Sequence, residues 1–150
     1  MVFLLAFLVA CRQNNSGEKT QQVDDSQTAT QILTIDTFST FPPEIDGCSC
    51  YFSSDSLEFK RSHYIYMNDY AQTCFMKLNG VLTKFVQVDF QESDSRKINA
   101  KYKNDTYEVI IESQTEVQNG DETSLLTGTI KVTDKNGKTI SKTFYGECGC

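Results

Sequence analysis

Two Cys-X-Cys pairs, Cys48-Ser49-Cys50 and Cys148-Gly149-Cys150, bracket most of the chain, and no other feature limits the possible folds so sharply. On a β-strand, residues i and i+2 point to the same face, so each pair presents two thiols side by side. If the two segments run antiparallel, Cys48 meets Cys150 and Cys50 meets Cys148. Opposed Cα atoms at non-hydrogen-bonded positions lie about 4.5 Å apart, within disulfide range. The parallel alternative, Cys48 with Cys148 and Cys50 with Cys150, is left open by the sequence. Closing a loop of about a hundred residues removes up to ~4.7 kcal/mol of unfolded-chain freedom in the entropic model, and the second bond adds far less. The rivals are a four-thiolate site for Zn²⁺ or Cu(I) and a labile redox pair. Zinc sites usually space their ligands C-x₂₋₄-C, wider than the gap here, so two disulfides are the expectation.

An early segment tied to the C-terminus suits a sheet that closes on itself, and the chain between them reads as β throughout. Cys74-Phe75-Met76-Lys77-Leu78 alternates, with Cys74, Met76 and Leu78 on one face. Asn79-Gly80 follows, a dipeptide that tolerates the positive φ of a tight hairpin, and Leu82 to Phe90 continues the β pattern. Ile98–Lys103 and Thr106–Glu112 flank a turn at Asn104-Asp105, with Tyr107, Val109 and Ile111 sharing a face. Leu125–Thr133 and Lys138–Tyr145 flank Asp134-Lys135-Asn136-Gly137, with Leu126, Gly128, Ile130 and Val132 facing one way. Ile32–Phe38, Cys48–Ser53 and Tyr64–Met67 complete the set, and no segment shows a sustained helical period. Short strands punctuated by turn residues predict an all-β domain over residues 32–150: an antiparallel meander of about eight strands in a small closed or nearly closed barrel, with a sandwich as the alternative.

Charge and motifs exclude several functions. Acidic residues outnumber basic ones 20 to 14, giving a net charge of −6, which offers no basic footprint for nucleic acid. There is no Gly-rich phosphate loop, no Gly-x-Ser-x-Gly and no His-Glu-x-x-His. Asp134-Lys135-Asn136-Gly137 copies the start of a calcium loop but lacks the later acidic ligands, and reads as a turn. Gln118-Asn119-Gly120-Asp121-Glu122 reads as a solvated loop tip. Cys74, the odd cysteine of the domain, is expected to be a small buried hydrophobe. His63 is the only histidine; it reads as an exposed loop residue, and no motif supplies a third group to orient a Cys74–His63 pair. An enzyme is not indicated, and no cofactor or metal is expected.

The N-terminus carries an unbroken apolar run, Val2 to Ala10. A membrane-spanning helix needs about 20 residues, so the run fits the apolar region of a signal peptide instead. Leu8-Val9-Ala10-Cys11 resembles the bacterial lipobox. That resemblance implies cleavage after Ala10 and a diacylglycerol on the Cys11 thiol. Such signals normally open with a basic residue, which points to a start upstream of Met1. Residues 1–10 are thus expected to be a lipoprotein signal, and 11–31 a lipidated cysteine with a polar tether too poor in apolar side chains to fold. Arg12 stands where the enterobacterial pattern places an inner-membrane retention Asp, which favours the outer membrane.

Gly47-Cys48-Ser49-Cys50-Tyr51-Phe52, Phe75-Met76-Lys77-Leu78-Asn79-Gly80 and Thr143-Phe144-Tyr145-Gly146-Glu147-Cys148-Gly149-Cys150 resemble uncharacterised bacterial lipoproteins of Bacteroidetes type, over most of residues 43–150. The chain more distantly resembles the small β-barrel lipoproteins that inhibit c-type lysozyme. Their Ser-Ala-Ser-Gly inhibitory stretch is absent, so no inhibitory residue carries over. The expected function is that of an envelope lipoprotein held to the membrane through its lipid. It would act as a non-catalytic module for a protein, glycan or small ligand at a barrel mouth or strand edge. Tyr51-Phe52 and Tyr64-Ile65-Tyr66-Met67 are candidate contacts, with a role in the core favoured. The alternative is a thiol-based metal or redox role for the two Cys-X-Cys pairs.

Overall fold

Residues 32–70, 72–94, 96–119 and 122–150 are described by the computed structural model. The expected signal (1–10) and tether (11–31), Cys11 included, lie outside the described residues. Nine strands follow in order: β1 (Ile35–Asp36), β2 (Ser49–Ser53), β3 (Tyr66–Asn68), β4 (Thr73–Leu78), β5 (Val81–Asp94), β6 (Lys97–Lys103), β7 (Tyr107–Asn119), β8 (Thr123–Asp134) and β9 (Thr139–Gly149). From β2 to β9 each pairs antiparallel with the next, and β9 pairs back onto β2. The meander therefore closes as an eight-stranded barrel, and β1 is an extra strand on the far half of β4.

The turns form for the reasons their residues suggest. Asn79 and Gly80 adopt φ of 48° and 80°, joining β4 to β5 through a two-residue hairpin with Leu78 opposite Val81. Asn104 Oδ1 accepts the backbone N–H groups of Thr106 and Tyr107 at 2.9 and 2.8 Å. Asp134 Oδ1 accepts those of Asn136 and Lys138 at 2.9 and 2.8 Å, so the resemblance to a calcium loop resolves into a hairpin turn. One element departs from the all-strand expectation, the helix α1 (Ser56–Lys60). Asp55 caps it by accepting from Leu57 and Glu58. Five residues are too few to display a helical period in sequence. Phe59 of α1 stacks on Tyr51 at 5.5 Å and meets Tyr145 edge-on at 5.5 Å on the outside of the barrel.

The alternation read from sequence gives the core directly. Cys74, Met76 and Leu78 of β4, Val109 and Ile111 of β7, and Leu126, Ile130 and Val132 of β8 are all buried in one cluster. The chain enters at the end of the barrel that carries the Asn79-Gly80 turn. There Leu33 and Ile35 are buried in the core, Thr34 N–H donates to Asn79 Oδ1 at 2.8 Å, and Lys142 Nζ donates to the Ile35 carbonyl at 2.8 Å. That end is sealed.

Glycine makes room for the largest interior rings. Phe144 lies opposite Gly128 and stacks on Phe52 at 4.1 Å between centroids. A Cβ on Gly128 would fall 2.7 Å from the Phe144 ring and against the Glu112 carbonyl. Gly128→Ala is therefore expected to destabilise by about 1–3 kcal/mol through overpacking, lowering the thermal midpoint by several degrees. Adding Phe144→Leu should recover part of the loss. An unchanged midpoint for the single variant would refute this account of the interior.

Candidate functional site

The end opposite the seal is open. A cavity of about 500 Å³ lies inside it, within the size range of small-molecule sites. Its floor is aromatic: Phe52 of β2 stacks on Tyr66 of β3 at 5.0 Å, and Tyr66 meets Tyr102 of β6 edge-on at 6.1 Å. Below them Met76, Phe85, Val109 and Ile130 are completely buried and fill the lower barrel. Ile98, Ala100, Ile111 and Leu126 line the wall, and Ser113, Thr115, Gln118 and Ser124 add neutral polar groups towards the opening.

Three register shifts fall in this wall, after Gln87, after Glu92 and after Thr115, and the first and last re-aim lining residues. Gln87 pairs with Tyr102 but Asp89 pairs with Lys101, so Val88 is an extra residue that shifts the alternation. Phe85 and Gln87 face inward before it, Phe90 and Glu92 after it. The shift between Thr115 and Val117 lets both Thr115 and Gln118 line the cavity. Bulges commonly re-aim side chains in this way.

The floor also holds a hydrogen-bonded polar cluster. Asn68 Nδ2 donates to the Tyr102 hydroxyl at 3.4 Å. Its Oδ1 accepts the N–H groups of Cys50 at 2.9 Å and Tyr70 at 3.1 Å, fixing the loop after β3. The Tyr66 hydroxyl lies close enough to Tyr102 and to the Cys74 thiol for each to influence the others' ionisation. Burial, first of all, pushes the pKa values of Tyr66 and Cys74 well above the ordinary ones, and that of Tyr102 upwards too. The floor thus offers neutral hydroxyls, and the Cys74 thiol stays protonated, the unreactive form.

Both Cys-X-Cys pairs are disulfides in the antiparallel arrangement: Cys48 with Cys150, Cα atoms 4.1 Å apart, and Cys50 with Cys148, 4.0 Å apart. Cys50 and Cys148 are directly opposed across β2 and β9 and line the cavity. The bonds therefore staple the barrel shut at the mouth, and their four sulfurs are not thiolates. Among the described residues no group of three or more His, Cys, Asp or Glu is placed to hold a metal. His63 does not join Cys74: its Nδ1 lies 2.8 Å from Glu58 Oε2 in the loop after α1, half-exposed, whereas Cys74 is completely buried.

The aromatic candidates divide. Tyr66 and Phe52 point inward and serve as both core and cavity floor. Tyr51 and Tyr64 belong to the outer cluster, with Phe41 and Phe59 against them, while Ile65 and Met67 are completely buried. Phe90, Glu92, Tyr70 and Gln118 are cavity residues that the strand pattern alone does not single out. The loop of Gln118 to Glu122 lies partly outside the described residues.

Family models, curated protein sequences and solved structures yield no match to this chain. The barrel and its open mouth therefore carry the functional reading.

Proposed function

We propose that this chain is a lipid-anchored protein of the bacterial envelope, held in the outer membrane through Cys11, and that its barrel is a non-catalytic module binding a small ligand in the open mouth. The anchor rests on the sequence Leu8-Val9-Ala10-Cys11; the observation that carries the binding role is the roughly 500 Å³ cavity, apolar and aromatic in its depth with neutral hydrogen-bonding groups above. That composition suits a ligand with an apolar body and few polar atoms. The first described residues of the domain pack at the sealed end, through Leu33 and Ile35, and leave the mouth free. Protonated Cys74 and the neutral tyrosines provide hydrogen bonds rather than a nucleophile and its base.

Calorimetry of the whole chain in detergent, with 1-naphthalenemethanol as a neutral aromatic probe and a detergent-only blank, tests the proposal. Saturable binding is expected. Ser124 sits on the wall opposite Cys148, and Ser124→Trp should obstruct the cavity and abolish the signal without changing the β-sheet circular dichroism. Absence of saturable binding, or equal binding by the variant, would overturn the assignment of the mouth as the site.

A further inference from the structure

The charge of the cavity narrows the ligand further. Among the described lining residues Glu92 alone carries a formal charge at neutral pH; no Lys, Arg or His lines the space. No described ion pair within 4.0 Å involves Glu92. A carboxylate or phosphate entering here would lose hydration and gain no counter-charge, an outcome that disfavours binding strongly. A cation meets the opposite situation.

The aromatic side chains near the opening add a second, independent indication. Phe90 and Tyr70 line the same cavity as Glu92 yet are 50% and 57% exposed, unusual for large rings in an 11% aromatic chain whose other interior rings are buried. Tyr70 is held in a left-handed conformation, φ 61°, which a bulky residue adopts only when its surroundings impose it; here its N–H is bound by Asn68 Oδ1 at 3.1 Å. Exposed aromatic faces beside a carboxylate are the groups that hold alkylammonium ions, through the ring quadrupole and the charge. Deeper in, Phe52, Ile111 and Leu126 accept an apolar body, and the protonated Tyr66 and Tyr102 hydroxyls accept or donate one neutral hydrogen bond. The net charge of −6 favours the approach of cations from a distance.

We infer that the mouth of the barrel recognises an organic ammonium ion, whose apolar body enters the cavity while its charged nitrogen stays near the opening with Glu92, Phe90 and Tyr70. This rests on the binding-module reading and specifies its ligand class. Three probes sharing one ring system separate the two: 1-naphthalenemethanol (neutral), 1-naphthylmethyl-trimethylammonium (cationic) and 1-naphthaleneacetate (anionic), titrated calorimetrically into the whole chain in detergent with blanks. The cationic probe is expected to bind about tenfold more tightly than the neutral one, and the anionic probe most weakly. Raising the salt concentration should shrink the cationic advantage, because a charge near solvent is screened. Glu92→Gln should bring the cationic-to-neutral affinity ratio close to one, and Glu92→Lys should turn the preference towards the anionic probe. Phe90→Leu should lower the ratio while Glu92 is intact. Equal binding of all three probes, or a ratio unmoved by Glu92→Gln, overturns the ammonium inference and leaves the cavity as a site. Failure of all three to bind overturns both.

Discussion

Serine at all four of Cys48, Cys50, Cys148 and Cys150 is expected to cost the domain roughly 2–5 kcal/mol of stability, the usual cost of losing native disulfides in small secreted domains. The loss falls on the seam that makes the sheet a barrel. β2 contributes five residues, Ser49 to Ser53, to its ladder with β9, and the two bonds fasten that ladder at the open end across sequence separations of 102 and 98 residues. Either bond alone closes almost the same long loop, so the effects should be far from additive. Cys50→Ser with Cys148→Ser removes one bond and should stay near the wild-type midpoint. Cys48→Ser with Cys148→Ser breaks both and should melt close to the fourfold variant. The comparison of these two double variants in thermal denaturation checks the connectivity as well as the energetics: the parallel pairing would reverse their order. An unchanged midpoint for the fourfold serine variant would show that the bonds are not structural, and would put the thiol-based metal or redox function first.

The barrel was legible in the chain because its strands obey local rules. Alternation assigned the inward faces of β4, β7 and β8, and the turn residues Asn79-Gly80, Asn104 and Asp134 marked where the strands reverse. The spacing of the Cys-X-Cys pairs brought the first barrel strand to the last. What escaped was whatever depends on one strand's offset from another. Counting by twos from Gln87 puts residues 89 and 91 inside; the extra residue at Val88 puts Phe90 and Glu92 there instead. A bulge is a property of a pair of strands, and a single strand's sequence records it only as a lapse in rhythm. The cavity escaped for a related reason. Whether inward side chains meet at the axis depends on barrel width and on how large and small residues face one another, as Phe144 does with Gly128 low in the barrel. Near the mouth one side of the wall carries Ser113, Thr115, Gln118 and Ser124, and the inward residues there do not meet at the axis. Helix α1 is too short to carry a period, and it stays in place because Phe59 finds Tyr51 and Tyr145 on the outer wall.

Cys11→Ser is expected to eliminate lipid attachment entirely, since the proposed anchor hangs on one sulfur. In a host fed an alkyne-tagged palmitate, the wild-type chain should acquire the tag and partition into the detergent phase. The serine variant should acquire none and shift towards the aqueous phase. The size of the effect follows from the lipid: each buried CH₂ contributes about 0.8 kcal/mol, so two or more acyl chains hold a protein to the membrane durably where one alone holds it only marginally. A net charge of −6 gives no attraction to anionic headgroups that would compensate. The Val2–Ala10 run, if it stayed attached, would be too short to span the bilayer as a helix. Because the chain enters the barrel at its sealed end, the variant should keep its cavity, and calorimetry with 1-naphthalenemethanol should give the wild-type affinity once the detergent blank is subtracted. Tagging of the serine variant would disprove the assignment of Cys11. A variant that loses both the tag and the probe would show that the lipidated segment supports the barrel as well as tethering it, and the separation of anchor from binding module would have to be abandoned.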